Sequence, residues 1–432
     1  MSVIRSSLFL LMLLLGLPLR AAQQCLVIGD SLTKEYEVEF PLLFPQNPAS
    51  WDSRNWAEIL HERRNTWFDL GNFSGYADSR ATGHEYNWAI PGATTGEIKN
   101  LLRNFGFLLE ISSQIRSGAE RVVIFAGGND VDSYYRQIYD GQSPTSFTRS
   151  TRDNLQWLVD YVRGLKSSLP IVLVSVPHLG CAPDVQAQCP TDPVKTARVT
   201  AALDDLNAQL ATFAQTRGIA FVPGVYQLTK DMISLPFRIG GIEFYRQADA
   251  DSRPRYAFSG DGFHPAVSPQ AKIAQMIIDA FVSRYPTTKI TALSDREIIE
   301  QILGLNSDLP FQEWMATQDV PENQRGVEDD PDGDGLINLI EFVRADGNAA
   351  QATSVAWPTP RVDRSQSPSQ VVWTVPMRPE SIGWATARFM QSSDLVSWQT
   401  MNASQVTISS EGAQTVRFPL SPRTFVRLEI SR

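Results

Sequence analysis

Short apolar runs punctuate the first two thirds of the chain, at residues 25–28, 122–126, 171–176 and 219–222. Their length and aliphatic content predict buried strands. Between them, apolar positions recur at helical spacing, predicting helices over 56–64, 97–115, 153–165 and 193–217; in the last, Ala201, Leu203, Leu206, Leu210 and Phe213 form the stripe. A closing helix is expected over 268–285. Short buried strands alternating with longer helices predict a parallel sheet with helices on both faces, that is, an α/β domain.

Past residue 290 the pattern changes. Residues 294–316 carry a helical pattern, 320–335 are acidic with Pro and Gly, and about 348–368 form a linker rich in Ala, Ser and Pro. Only short β-type runs follow, at 371–375, 384–390, 405–409, 415–418 and 424–430, which predict a small β-sandwich. A chain of 432 residues exceeds one ordinary core. The expected division is a leader over 1–22, an α/β domain over 23–290, a helical connector over 291–350 and an all-β domain over 351–432.

The leader reads MSVIRSSLFLLMLLLGLPLRAAQQ: Arg5, an apolar run from Leu8 to Leu15, then a cleavage site at Leu19-Arg20-Ala21. This is the layout of a secretory signal peptide, so a secreted or periplasmic location is expected. The run is broken by Gly16 and Pro18 and is shorter than the ~20 residues of a spanning helix, which places a retained signal anchor second. Gln23-Gln24 separate it from Cys25, so no lipobox cysteine follows directly, and no other stretch reads as a membrane span. Loss of 1–22 removes two Arg and no acid, moving the net charge from −9 to −11. That acidity lacks the footprint of a nucleic-acid or anionic-membrane binder. Hydrophobic content of 43% and charged content of 20% argue against wholesale disorder. Cys25 lies in an apolar run and is expected as a buried free thiol. Export leads to an expected disulfide between Cys181 and Cys189, which bracket a short loop.

The first run ends in Gly29-Asp30-Ser31-Leu32. A serine at the carboxyl end of a strand in an open α/β sheet stands where ligands bind, and a helix starting there points N–H groups at a developing oxyanion. Alone, these four residues describe a turn with an Asp/Ser cap. A serine nucleophile needs a base, and the chain has four histidines. His61 falls inside a predicted helix, His84 in a polar loop, and His178 after a strand-end proline, a poor second choice. His264 stands three residues after Asp261 in Ser-Gly-Asp-Gly-Phe-His-Pro. A carboxylate so placed can fold back onto the imidazole and stabilise its cation; a turn contact without chemistry is the plainer alternative. Gly92, at a predicted helix start, offers an unobstructed N–H. Asn129, in Gly127-Gly128-Asn129-Asp130 after a strand, offers an amide donor.

Gly29-Asp30-Ser31-Leu32-Thr33, Gly92, Gly127-Gly128-Asn129-Asp130 and Asp261-Gly-Phe-His264-Pro265 resemble, in order, the four sequence blocks of the SGNH/GDSL hydrolases. The resemblance covers residues 25–285. It implies a flavodoxin-like three-layer α/β/α fold and hydrolysis of carboxylic esters without a catalytic cofactor. Ser31 corresponds to the nucleophile, His264 to the base and Asp261 to its orienter. The Ser31 and Gly92 N–H groups and the Asn129 side chain correspond to the oxyanion hole. The segment 33–87 departs from the family in its length and its Trp and Phe content.

Residues 330–341 read Asp-Pro-Asp-Gly-Asp-Gly-Leu-Ile-Asn-Leu-Ile-Glu. Asp330, Asp332, Asp334 and Glu341 occupy loop positions 1, 3, 5 and 12. Gly335 takes position 6, Leu336 (through its carbonyl) position 7 and Asn338 position 9. This is the EF-hand loop pattern, in which oxygen ligands converge on Ca2+. Pro321 and the polar run to Asp329 make a poor entering helix, so a single calcium-stabilised connector similar to dockerin-like repeats is expected; a solvated acidic linker is the alternative. The stretch 311–343 and the β-rich tail resemble appendages of secreted proteins from polysaccharide-degrading bacteria. There Trp373, Trp384 and Trp398 would stack on sugars if exposed, core packing being commoner.

The expected function is a secreted esterase acting on a small-molecule or polysaccharide ester, with acetyl or another short acyl group on carbohydrate as one substrate class. Tyr36, Phe40, Phe44, Trp51 and Trp56 are available to shape its cleft. Two alternatives stand beside it: a non-catalytic secreted binding or adhesion protein, and an acyltransferase using the same triad.

Overall fold

The computed structural model describes residues 22–36, 54–76, 80–246, 254–352, 357–365, 367–402, 405–409, 412–419 and 424–432. The expected leader, Phe40, Phe44 and Trp51 therefore lie outside the described residues, apart from residue 22 at the leader's end. Contacts divide the chain into two compact units, Met1–Lys230 with Ser259–Ala292, and Asp231–Phe258 with Leu293–Arg432.

In the first unit, β1 (Cys25–Gly29), β2 (Asn87–Ala89), β3 (Arg121–Phe125), β4 (Ile171–Val174) and β5 (Ala220–Val222) form one parallel sheet in the order β2-β1-β3-β4-β5. Val27 pairs with Asn87 on one side and Val123 on the other. β1 and β3 are buried along their whole length, which is why they read as continuous apolar runs without alternation. Its principal helices include α1 (Trp56–Arg64), α2 (Thr95–Leu102), α3 (Gly128–Tyr139), α4 (Thr145–Leu165), α5 (Pro193–Arg217) and α6 (Val267–Arg284). The strand order is that of flavodoxin-like sheets, in which the order of strands reverses between β1 and β3. A ligand site is expected at the carboxyl ends of those two strands.

Four strands and most helices match the expected pattern; the departures have local causes. β2 is only three residues long and carries Asn87 and Trp88, so no apolar run announces it. The helix expected over 97–115 is interrupted at Arg103, and the Asn104 side chain caps a second helix at Phe105–Ser113, accepting from the Gly106 N–H at 3.4 Å. Cys25 is the buried free thiol expected, its pKa pushed up to about 12 by burial. The expected disulfide is absent. Cys181 and Cys189 are both buried thiols outside any disulfide, and Cys181 Sγ donates instead to the His178 carbonyl at 3.2 Å.

The second unit contains the hairpin Phe237–Ile239/Ile242–Phe244, the helix Leu309–Ala316, the short helix Asn338–Val343 and two antiparallel sheets. β6 (Arg361–Asp363), β7 (Gln370–Val375), β10 (Val406–Ile408) and β11 (Gln414–Pro419) form one sheet in the order β6-β7-β11-β10. β8 (Thr386–Ser392), β9 (Gln399–Thr400) and β12 (Phe425–Ser431) form the other in the order β9-β8-β12. The parts expected as separate connector and β domain share one core. Phe311, Trp314 and Phe342 from the helices lie in the same cluster as Trp373, Val375, Trp384, Phe389 and Val416. Burying the helices' apolar faces requires the sheets, so the composition shift near residue 350 does not mark a boundary between cores. The expected 23–290 domain also differs, because residues 231–258 cluster with this second unit. Trp373 and Trp384 are thus core residues. Trp398 is half-buried with the Arg427 guanidinium 4.2 Å from its ring.

Candidate active site

β1 delivers Ser31 two residues past its end, in a turn closed by the Thr33 and Lys34 N–H groups donating to the Asp30 carbonyl at 3.0 and 3.1 Å. Ser31 is only 5% exposed. The turn before α6 delivers the imidazole. There the Asp261 carboxylate accepts from the Phe263 and His264 N–H groups at 2.9 and 3.0 Å and from the Ser259 hydroxyl at 2.6 Å. The other carboxylate oxygen lies 2.5 Å from His264 Nδ1, and His264 Nε2 lies 2.8 Å from Ser31 Oγ. Burial pushes the Asp261 carboxyl up, but the His264 hydrogen bond and charge, the Ser259 hydroxyl and the Phe263 N–H outweigh it and hold the pKa down at about 2. An ionised carboxylate only accepts, so Nδ1 carries the proton facing it. Nε2 is then the unprotonated nitrogen, and the Ser31 hydroxyl donates to it. The arrangement can remove a proton from Ser31 as its oxygen attacks an electrophile.

Two loops and the first turn of α3 hold the expected oxyanion donors. Among the described residues, no hydrogen bond engages the N–H of Ser31 or of Gly92. Gly92 takes φ of +73°, which L side chains rarely adopt, and is exposed just ahead of α2. The Asn129 amide donates to the Ala93 carbonyl at 3.1 Å, which leaves its second N–H for another acceptor.

Two buried carboxylates tie these loops together. Asp30 accepts from the Leu32 N–H at 3.0 Å and from the Gly127 and Gly128 N–H groups at 3.2 Å each, joining the turn after β1 to the turn after β3. Asp130 accepts from the Thr95 N–H at 2.7 Å, the Thr95 hydroxyl at 2.6 Å and the Thr151 hydroxyl at 3.2 Å, joining α3 to the start of α2. Burial pushes the Asp30 carboxyl up to about 6 against the pull of those three N–H groups. Neither carboxylate was singled out from sequence, although both sit beside a motif residue that was.

The remaining histidines do other work. His61 Nδ1 accepts from the Leu70 N–H at 3.2 Å. His84 pairs with the buried Glu35, which accepts from its N–H at 2.8 Å and lies 3.2 Å from its Nδ1. His178 is fully buried, accepts from the Gly180 N–H at 3.1 Å and is pushed down to about 4 by burial, so it lines no cleft. Tyr36 and Trp56 are likewise fully buried and cannot meet substrate, contrary to expectation.

In the second unit, the acidic loop brings carboxylate oxygens of Asp330, Asp332 and Asp334 within 4.8 Å of one another. The Gly335 N–H donates to Asp330 at 2.9 Å, and Gly335 takes φ of +91°, the sharp turn its loop position needs. The Leu336 N–H donates to Asp334 at 2.7 Å. Glu341 is fully buried, and Asp332 Oδ2 and Asn338 Oδ1 are buried without a hydrogen-bond partner. Burial, with the charges of Asp334 and Asp330, pushes the Asp332 carboxyl up. An all-oxygen, acid-rich donor set with orphaned buried oxygens fits a hard cation.

A doubly wound sheet that brings a hydroxyl, an imidazole and a carboxylate into line where its strand order reverses is a geometry suited to nucleophilic chemistry. Residues 27–268, more than half of the chain, match the model of the GDSL-like lipase/acylhydrolase family. The chain belongs to that family and is an ester-hydrolysing enzyme by class. Similar solved structures include a lipase/acylhydrolase from Enterococcus faecalis, 16% identical, covering 61% of this chain and 96% of that one at a TM-score of 0.32. A lipase from a goat rumen metagenome is 15% identical, with 60% and 97% covered and a TM-score of 0.36. An acetylxylan esterase from Geobacillus stearothermophilus is 15% identical, with 62% and 96% covered and a TM-score of 0.32. No curated protein matches the chain.

Proposed function

We propose that this chain is a secreted or periplasmic serine esterase that hydrolyses carboxylic esters through an acyl-enzyme on Ser31. The observation that carries the reading is the 2.8 Å separation of Ser31 Oγ and His264 Nε2, with Asp261 behind the imidazole. Ser31 Oγ attacks the ester carbonyl while His264 takes its proton and Asp261 stabilises the imidazolium. The Ser31 and Gly92 N–H groups and the Asn129 amide receive the oxyanion. His264 then protonates the leaving alcohol, and water, deprotonated by His264, releases the acid. The scheme uses no cofactor. The near-complete burial of Ser31 supports a short acyl group, acetyl among them, and the proposed substrate class is such esters on carbohydrate. Secretion rests on the leader-like residues 1–22.

The test is turnover of p-nitrophenyl acetate by the mature protein. Wild type is expected to release nitrophenol and Ser31→Ala to release none above background. Equal rates in both, or no turnover of any short ester by wild type, contradict the reading; transfer of the acetyl group to an added alcohol in preference to water redirects it to acyl transfer.

The acidic loop is proposed to hold one Ca2+ through Asp330, Asp332, Asp334, the Leu336 carbonyl, Asn338 and Glu341. Bound there, the ion would supply charge neutralisation that orders the loop. Its support is the clustered carboxylates together with the buried oxygens of Asp332 and Asn338.

A further inference from the structure

We propose that Gln270 is a positioning residue which, through Tyr36, sets the distance between Ser31 and His264. Tyr36 follows Ser31 by five residues and Gln270 follows His264 by six. The Gln270 Nε2 donates to the Tyr36 hydroxyl at 2.9 Å, and its Oε1 accepts from the Trp56 N–H at 3.2 Å, at the first residue of α1. One amide thereby joins the segment after the serine, the start of α1 and the helix that follows the histidine. Gln270 and Tyr36 are both 0% exposed.

α1 holds the same segment from its backbone side. The Glu58 carboxylate accepts from the Tyr36 N–H at 3.0 Å and from the Asn55 N–H at 2.7 Å, while the Asn55 side chain donates to the Lys34 carbonyl. Tyr36 also touches the imidazole itself: its ring meets that of His264 at 6.0 Å between centroids and 80° between planes. The Phe263 ring lies 5.2 Å from the same imidazole at 75°. Asp261 fixes one nitrogen of His264, and these two rings restrict rotation about that contact.

Packing alone does not call for an amide at this position. Gln270 shares the buried face of α6 with Ala271, Ile273, Ala274 and Ile277. Methionine would fill a similar volume there without the cost of desolvating an amide, a cost offset only because both ends are bonded. What the amide adds is direction. It fixes the register of two segments whose reacting atoms must meet within hydrogen-bond reach.

The inference rests on the triad reading, and the test separates the two. Gln270→Met keeps the buried volume and removes both bonds. Tyr36→Phe keeps the ring against His264 and removes only the hydroxyl. Each purified full-length variant is incubated to completion with a p-nitrophenyl phosphonate; Ser31 Oγ bonds to phosphorus, p-nitrophenolate leaves, and the amount released counts competent sites. Turnover of p-nitrophenyl acetate is then expressed per titrated site, so misfolded molecules drop out of the comparison. Positioning predicts a fall of roughly 10- to 100-fold per site in Gln270→Met and a smaller fall in Tyr36→Phe, with KM within about twofold of wild type. Turnover per site equal to wild type in Gln270→Met overturns the proposal. If that variant yields no folded protein, Tyr36→Phe decides it, and wild-type turnover per site there overturns it. Failure of wild type to titrate, or titration of Ser31→Ala, would strike the triad reading instead.

Discussion

His264 Nε2 lies 2.8 Å from Ser31 Oγ although 233 residues separate them in the chain. The parallel sheet makes this possible. β1 ends at Gly29, just before the serine, and is an interior strand flanked by β2 and β3. The turn carrying Asp261 and His264 is closed by its own bonds before α6 begins, with the Ser259 N–H donating to the His264 carbonyl at 2.8 Å. The hydroxyl and the imidazole therefore each come from a locally rigid turn, and the tertiary fold has only to set the gap between them.

The Asn129 amide is held by the Ala93 carbonyl, so its orientation precedes any substrate. Asn129→Ala is expected to lower kcat by ~10²–10³ with little change in KM, because the lost bond forms chiefly in the transition state. Asp130→Asn, which disturbs the bonds to Thr95 and Thr151 without touching substrate, is expected to lower kcat less. Steady-state kinetics on a short ester check both, and a KM effect with kcat intact would contradict the assignment.

Asp30 gives a pH dependence of defined sign. Its folded pKa, pushed up to about 6 by burial, exceeds the ordinary aspartate value of ~3.9. Between those values the folded protein binds more protons than the unfolded chain, so this residue's contribution to stability falls as pH rises through the window and is level on either side. Asp30→Asn removes that slope. The wild type's unfolding free energy relative to the variant's is expected to drop by about 3 kcal/mol between pH 3.5 and pH 7. Denaturant melts across that range measure it, and parallel profiles would contradict it.

The fold's strands were legible because burial on both faces forces continuous apolar runs, and the two site turns were legible because their donors and acceptors are neighbours in sequence. What could not be read is cross-chain. β2, with Asn87 and Trp88, is a strand only because β1 pairs with it. Asp30 and Asp130 look like turn caps until the loops after β1 and β3 and the start of α2 are brought together. Gln270 offered one faint signal, a polar side chain on the apolar stripe of a predicted helix. Tyr36 and Trp56 offered a misleading one: aromatic residues near a motif suggest a cleft, yet both are interior. The cysteine spacing misled because an eight-residue separation carries no information on whether two Sγ atoms can meet.

Calcium is expected to stabilise the second unit. At a concentration 100-fold above Kd, one site selective for the folded state contributes about 2.7 kcal/mol. Calorimetric scans should show a transition that rises with added CaCl2, falls with chelator, and becomes insensitive to both in Glu341→Gln. An unchanged profile in wild type would contradict the calcium assignment while leaving that of Ser31 untouched.

The three cysteines are buried thiols. Titration with a thiol reagent is expected to find little reaction in the native protein and three thiols per chain after unfolding without reductant. One thiol per unfolded chain would restore the Cys181–Cys189 disulfide.

The most direct test of the central claim is to trap the acyl-enzyme. Wild type quenched in acid during turnover of p-nitrophenyl acetate, digested and analysed by mass spectrometry should carry one acetyl group on the Ser31 hydroxyl. The label should be absent from Ser31→Ala and from His264→Ala. Acetyl on another residue, or turnover persisting in Ser31→Ala with no label at all, would contradict the account.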